Sequence, residues 1–349
     1  MPGMASGLLV SAIVVNWNGA RDLEACLPSL LDQSYRRMEI IIVDNGSTDD
    51  SASVVERFGV RWLPLERNLG LAPALNRGAR AAAGDLLLFL NNDMRFEREF
   101  VTSLVSEMVE RDDVLAADAI QYDWNGDHQV HLATSLRRRA EGAISHELTP
   151  GLHMVQQPCD EPAPAFMASA ANLLARRSLF EALGGFDERL FFGYEDVDLC
   201  WRGWLRGWST VFVPAAKCWH RVSHSTQGGM AGSLSFRGVE TGRLVIAAKL
   251  LPFSYAIRTW LRSLAGLGRD LMLLRWQRVS DRARVLRQCL RDLPSLLRER
   301  WQIHRAAHTS PGAQLARLLL LNSAHERAAC GPAATRVTGT GRVASPITK

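Results

Sequence analysis

The feature that most restricts this chain is the alternation, over its first 120 residues, of short apolar runs with stretches of helical period. LLVSAIVV (8–15) is β-branched or apolar at nearly every position, as a strand buried on both faces requires. ARDLEACLPSLLDQ (20–33) then sets Leu23, Leu27, Leu30 and Leu31 on one helical face. The order repeats in MEIIIVD (38–44), a helix over 48–57, VRWLPL (60–65), a helix over 71–82 and DLLLFLN (85–91). Successive β-α-β units build a mostly parallel, Rossmann-like sheet flanked by helices, and ligands of such sheets bind beyond the carboxyl ends of the strands. The expected class is therefore α/β, with one crevice collecting Asn16, Asp44, Asn45, Asn68 and Asn91 to Asp93.

Three polar stretches interrupt this pattern, and each admits a functional and a structural explanation. VDNGSTDDS (43–51) ends a buried strand with a carboxylate, followed by an Asn-Gly turn and hydroxyls suited to capping a helix. It can be a connector only, but at the ligand edge Asp44 can also accept hydrogen bonds from a base imide or a ribose hydroxyl. NLG (68–70) and ALNRGA (74–79) add small and amide residues on the same edge. FLNNDM (89–94) ends an apolar run with two amides and a carboxylate, oxygen donors able to hold a hard divalent ion; the structural alternative makes Asp93 a helix cap before RFEREFVTSLVSEMV. In FFGYEDVDLCWRGWLRGW (191–208) Glu195, Asp196 and Asp198 crowd the start of a helix among aromatic rings. Helix dipole and capping explain acidic residues there, and like charges beside apolar rings can also leave one carboxylate poised as a base. His220, after STVFVPAAKCW, reads by itself as an ordinary surface or core histidine. No GxGxxG follows the first strand, which disfavours a dinucleotide dehydrogenase.

Together these segments resemble the inverting nucleotide-sugar glycosyltransferases of family 2, with the GT-A fold, and among them the rhamnosyltransferase-like branch. The resemblance runs from about residue 8 to 255 and rests on VVNWNG, VDNGSTDDS, RNLGLAPALNRG, LNND, GGFDERLFFGYEDVDLCWR and a late His. It implies a nucleoside-diphosphate sugar donor, a divalent metal cofactor (Mg²⁺ or Mn²⁺) and a glycan or lipid-linked glycan acceptor in bacterial-type cell-surface polysaccharide synthesis. Asn16, Asp44, Asn45, Asn68, Gly70, Asn76 and Asn92 are implied as the nucleotide side of the site, Asp93 and His220 as metal ligands, Asp196 as general base and Glu195 beside it as an acceptor contact or a shaping residue. Asn91 departs from the commoner first Asp of the family's DXD-type triplet. A base-assisted single displacement needs no enzyme nucleophile, in keeping with the lack of a convincing Ser/His or Cys/His arrangement. Two other readings are a nucleotidyltransferase, for which NWNGARD is a poor glycine-rich basic loop, and a silent scaffold, against which YEDVD and NND both argue.

Composition settles the setting. With 349 residues, 47% hydrophobic and 22% charged, the chain is globular and can bury one large core or two. Six scattered cysteines without CxxC pairs suit a reducing compartment. The N-terminus has no charged leader region, and no uncharged apolar stretch reaches the roughly 18 residues of a spanning helix, so the expected location is cytoplasmic and peripheral on the inner face of the cell membrane. The expected organisation is a catalytic domain over 1–236 (nucleotide-sugar half 1–122, acceptor half 123–236), a basic helical region over 237–310 and a polar, partly disordered tail over 311–349. Residues 123–160 show no clear period.

The basic region carries the charge asymmetry. From Arg237 to Arg305 there are 15 basic side chains against 5 acidic ones, so the remainder of a chain whose total is +5 is net negative. Ile257, Trp260, Leu261, Leu264, Leu267, Leu271 and Leu274 recur at helical spacing with Arg258, Arg262 and Arg269 off the stripe, and Leu286, Leu290, Leu293, Leu297 and Trp301 repeat the pattern. Such helices can pack on the catalytic domain or lie on an anionic membrane surface. No nucleic-acid reader motif accompanies the charge, so no nucleic-acid partner is expected.

Overall fold

A computed structural model describes residues 7–109, 111–138, 144–191, 193–221 and 231–329; residues 330–349, the larger part of the expected polar tail, lie outside these. The first half follows the alternation: β1 (Val10–Asn16), α1 (Ala20–Leu31), β2 (Met38–Asp44), α2 (Ser51–Phe58), β3 (Arg61–Pro64), α3 (Leu71–Ala81) and β4 (Leu86–Asn91). Strand β1 pairs in parallel with both β2 and β4, and β2 in parallel with β3. The register sets Asn16 opposite Asp44 and Val15 opposite Asn91, so three strand ends finish at one level.

The second half completes and then covers the sheet. It contains β5 (Met94–Phe96), α4 (Phe100–Val109), β6 (Val114–Asp123), β7 (Gln129–His131), β8 (Ala133–Arg137), β9 (Ile144–Thr149), β10 (Leu152–Gln157) and β11 (Ala163–Pro164). After these come β12 (Asn172–Arg176), α5 (Arg177–Ala182), α6 (Glu195–Leu205) and β13 (Ser209–His220). Strand β12 runs antiparallel between β4 and β6, which makes the large sheet mixed, in the order β11-β13-β6-β12-β4-β1-β2-β3. The stretch without a clear period holds a separate antiparallel sheet of β8, β10 and β9. Its strands alternate a buried residue with polar partners too irregularly to show a period of two, as in Leu152 and Val155 of LHMVQQ.

Two apolar layers sandwich the large sheet. Ile13, Ile41, Val43, Leu87 and Phe89 point to one face, and Val14, Ile42, Leu88 and Leu90 to the other, where Leu23, Leu27 and Leu30 of α1 cover them. This is the double burial that near-continuous apolar strands demand. Each such side chain contributes about 1.5–3 kcal/mol relative to exposure.

The C-terminal helices α7 (Ala231–Lys249), α8 (Phe253–Met272), α9 (Trp276–Arg305) and α10 (Pro311–Ala329) are joined to this core. Ile246, Ala247, Leu250, Leu251, Leu315 and Leu318 belong to the same apolar cluster as Phe89 and Trp201. The expected apolar stripe of α8 divides: Trp260 and Leu267 pack inward, while Ile257, Leu261, Leu264, Leu271 and Leu274 are exposed. What α8 buries instead is Ala256, Thr259, Ser263, Gly266 and Asp270. Among the described residues no helix is long and apolar enough to cross a membrane.

Candidate active site

The carboxyl edge of the parallel strands is a web of amides. Asn16 donates through Nδ2 to Asp44 Oδ1 at 3.2 Å and to Ser51 Oγ at 2.9 Å, and its Oδ1 accepts from Asn92 Nδ2 at 2.7 Å. The ends of β1, β2 and β4 are thereby tied by side chains as well as by register. Asp44 is buried, and Oδ1 also accepts from the Ser47 hydroxyl while Oδ2 takes the Ser47 amide at 3.0 Å. It therefore serves the strand-to-helix connector, and a nucleoside would join these partners. Asn45 donates to Asn68 Oδ1 and to the Gly70 carbonyl, both at 3.1 Å, and holds the loop between β3 and α3 against β2. Gly70 has φ +93°, and a Cβ there would lie 2.5 Å from the Phe191 ring, so this position requires glycine both for its backbone and for its contact. Asn76 is not brought to the edge: its amide binds the Phe186 carbonyl at 2.9 Å and Glu188 Oε1 at 3.1 Å, anchoring the GGFDER loop to α3.

Asp93 and His220 do meet. Asp93 is buried, and its Oδ1 stands 3.1 Å from His220 Nε2. The helix-cap alternative for Asp93 falls away, because β5 follows at Met94 and the next helix begins only at Phe100. Strand β5 pairs with β13 in antiparallel register, opposing Met94 to His220, and this pairing carries the histidine to the carboxylate across 127 residues of chain. On the other side of the ring, Nδ1 lies 3.0 Å from Gln121 Oε1, and Gln121 Nε2 donates to Asn172 Oδ1 at 3.1 Å. Nδ1 is thus the donor, and Nε2 is the atom a cation would share with Asp93. A group of three or more His, Cys, Asp or Glu side chains able to hold a metal does not occur among the described residues. One carboxylate plus one imidazole fits an ion that takes its other oxygens from a diphosphate and water, as Mg²⁺ and Mn²⁺ do.

Helix α6 opens on the acidic motif, with Tyr194 before it at φ +72°. Glu195 is buried and its Oε2 has no hydrogen-bond partner among the described residues; burial, and then the neighbouring Asp196 charge, raises its carboxyl above the usual range. Asp196 keeps partial contact with solvent. Burial also raises Asp196, against the amides of Val197 (2.7 Å to Oδ1) and Ala170 (3.3 Å to Oδ2), which hold down the charged form. One carboxylate is therefore sealed and the other accessible. Asp198, the third acid, is fully buried and pairs with Arg202 at 2.7 Å.

The turn over 169–171 links the two carboxylate centres. The Asn91 amide donates to the Ala171 carbonyl at 3.2 Å, the Ala170 amide to Asp196, and the Ser169 amide to Asp118 Oδ1 at 3.1 Å. Asp118 is fully buried and binds His131 Nε2 at 2.7 Å through Oδ2. Burial opposes a charge on His131, but Asp118 outweighs it and raises the imidazole above its ordinary value. Sequence reading passes over both: Asp118 stands within an alanine-rich strand, and His131 in the stretch that shows no period. A carboxylate inside the buried run LAADAI is the one signal that could have flagged it.

Strand-end amides and two carboxylate centres thus gather at one edge of a mixed α/β sheet, where α/β proteins bind their ligands. The chain matches the family described as Glycosyl transferase family 2 over residues 11–184. It is 31% identical over 247 residues to N-acetylglucosaminyl-diphospho-decaprenol L-rhamnosyltransferase of Mycobacterium tuberculosis, covering 65% of this chain and 80% of that protein. Pre-mycofactocin glycosyltransferase of the same organism is 27% identical over 263 residues, 69% of this chain and 51% of that one. A solved mannosyltransferase from Pyrobaculum calidifontis, in complex with GDP-Man and Mn²⁺, superposes with a TM-score of 0.53 at 18% identity, covering 92% of this chain and 84% of that one. GalNAc-T7 with UDP, GalNAc and Mn²⁺ gives 0.51 at 18% identity, over 70% and 52% of the two chains. The chain belongs to glycosyltransferase family 2 and has a GT-A fold; it is a glycosyltransferase with rhamnosyltransferase-like relatives.

Proposed function

We propose that the protein transfers a hexosyl unit, with rhamnose the leading candidate, from a nucleoside-diphosphate sugar to a hydroxyl of a glycan or lipid-linked glycan acceptor, with inversion at the anomeric carbon. The observation that carries this is the turn over 169–171, from which one amide or carbonyl reaches the Asn91–Asp93 segment and another reaches Asp196. Donor diphosphate and acceptor hydroxyl then have adjacent, chemically distinct places. Asp44, Asn45 and Asn68 line the nucleoside side, and Asn16 and Asn92 brace the strand ends beneath it. Asp93 and His220 would hold a divalent cation, which would supply positive charge against the departing diphosphate. Asp196 takes the acceptor's proton as that oxygen bonds to the anomeric carbon and the bond to the diphosphate oxygen breaks on the opposite face. Glu195, buried and with its carboxyl raised by that burial, shapes the site.

The relative that acts on a decaprenol-linked sugar supports a lipid-linked acceptor, and such an acceptor brings the enzyme to the inner face of the cell membrane as a peripheral protein. The two Mn²⁺-bound relatives support metal use. The test is a thermal-shift series with UDP, dTDP and GDP, each with and without Mn²⁺ or Mg²⁺. One nucleotide should stabilise above the others, with a metal-dependent increment that Asp93→Ala removes while leaving the unliganded transition in place. A chain unmoved by every nucleotide and metal would overturn the reading.

A further inference from the structure

The arrangement of α8 is the reverse of a helix in an ordinary globular protein. Its buried side is polar: Ser263 donates to Glu240, Arg282 bridges Glu240 and Asp270, and Thr259 hydrogen-bonds Thr149 of β9. Its outward side carries Phe253, Ile257, Leu261, Leu264 and Leu271, which fall on one line at intervals of three, four and seven residues. The line continues through Met272, Leu273 and Leu274 to Trp276 at the turn into α9, and these nine side chains are between 47 and 84% exposed. Isolated exposed leucines need no explanation, but a continuous line along a helix about 30 Å long does.

We infer that this face of α8 and the turn into α9 is the surface by which the enzyme lies on an anionic lipid bilayer, with the apolar line sunk to the level of the acyl chains. Charge selects the occupant. Arg258, Arg262, Arg269, Arg275, Arg278 and Arg287 are exposed beside or beyond the line. Arg262 pairs with Glu147, Arg269 lies 3.9 Å from Asp270, and Asp281 is buried, so the positive charge of the face rests chiefly on Arg258, Arg275, Arg278 and Arg287. A second copy docked by two-fold symmetry would oppose arginine to arginine, whereas anionic headgroups complement them. Helices with a basic polar face and an apolar line lie flat in the interface in this way.

The surface also faces a useful direction. Beneath α8, Arg262 pairs with Glu147 at 2.7 Å, and in α7 the backbone at Gly242 packs so close to the Tyr194 ring that a Cβ would lie 2.5 Å from it. Tyr194 immediately precedes Glu195 and Asp196, so lipid on α8 lies on the acceptor side of the site. That orientation rests on the transferase reading; the binding itself does not.

Flotation of the full-length protein with phosphatidylcholine vesicles containing rising fractions of phosphatidylglycerol tests it. Binding should rise with the anionic fraction and fall with salt, and each of Arg258→Gln and Arg275→Gln should weaken it about fivefold. Leu261→Glu combined with Leu264→Glu, both exposed and outside the active site, should weaken it by at least about a hundredfold with an unchanged thermal transition. Binding that is indifferent to anionic lipid, or unaffected by the double substitution, overturns the inference. So does a dimer in solution that the double substitution splits without any vesicle binding by the parent, which would assign the face to a second copy. The nucleotide-induced thermal shift, measured on the same samples, should be equal in all variants; its absence from the parent would sink the transferase reading and leave the lipid result intact.

Discussion

Replacing Asp196 by Asn separates proton transfer from everything else this residue does. The side chain accepts two amides, Val197 at Oδ1 and Ala170 at Oδ2. An asparagine oxygen can keep one of them, and its NH₂ then faces the other amide, donor against donor, so one hydrogen bond of about 0.5–1.5 kcal/mol is lost. Against this, removing the Asp196 charge relieves Glu195, whose carboxyl that charge raises. The net change in stability should therefore stay within about 1 kcal/mol. Catalysis has no such offset. An amide cannot take the acceptor's proton, and loss of a general base costs roughly 10²–10⁴ in rate, or about 2.7–5.4 kcal/mol of barrier. The assay is chromatographic release of nucleoside diphosphate in the presence of acceptor, alongside calorimetric donor binding, which should be unchanged. The companion Glu195→Gln is nearly isosteric with the buried acid and should lose much less. A fall of less than about tenfold in Asp196→Asn, or a larger fall in Glu195→Gln, would refute the assignment of the base.

The Asp118–His131 pair should set the acid limb of the pH profile. His131 lowers the proton affinity of Asp196 and Asp118 raises it, so in His131→Gln, with Glu195, Tyr194 and Cys200 still close to Asp196, the acid limb of kcat/KM should move to higher pH if Asp196 is the base; an unmoved limb with reduced activity would leave His131 a purely structural role. Lys249 is 2% exposed, donates to Asp187 Oδ2 at 2.6 Å and stands 2.8 Å from Asp198 Oδ1, so Lys249→Met should lower stability in urea by about 3–5 kcal/mol, and a loss below about 1 kcal/mol would show that the network is not held by its cation. Despite burial, which opposes its charge, Asp187 is held below the usual carboxylate range by Arg189 and Lys249. Its contribution is fully present above the unfolded carboxylate value and fades as pH falls through the depressed folded one, so the variant should show a shallower loss of stability in acid.

Asn16, Asp44 and Asn91 were legible in the sequence because a short apolar run has few places to end, and parallel pairing brings such ends to one level. The motif resemblance named Asp93, His220 and Asp196, but not what holds them. Gln121 and Asn172 orient His220 from β6 and β12, and Asp118 reaches the Asp196 turn from the middle of β6; strand register brings these residues together, and no local spacing records it. Lys249 fails for the same reason: in a basic segment it reads as one more exposed cation, yet it lies beneath α6, closing ion pairs with residues 51 and 62 positions away. Helix α8 shows a different limit. The spacing of Ile257, Leu261 and Leu264 locates an apolar line and an opposite polar line, and periodicity carries no sign for which of them faces inward. That sign comes from the partners: Glu240 and Arg282 supply a polar seat for Ser263 and Asp270, and once that seat is filled the leucines have only the outside to occupy.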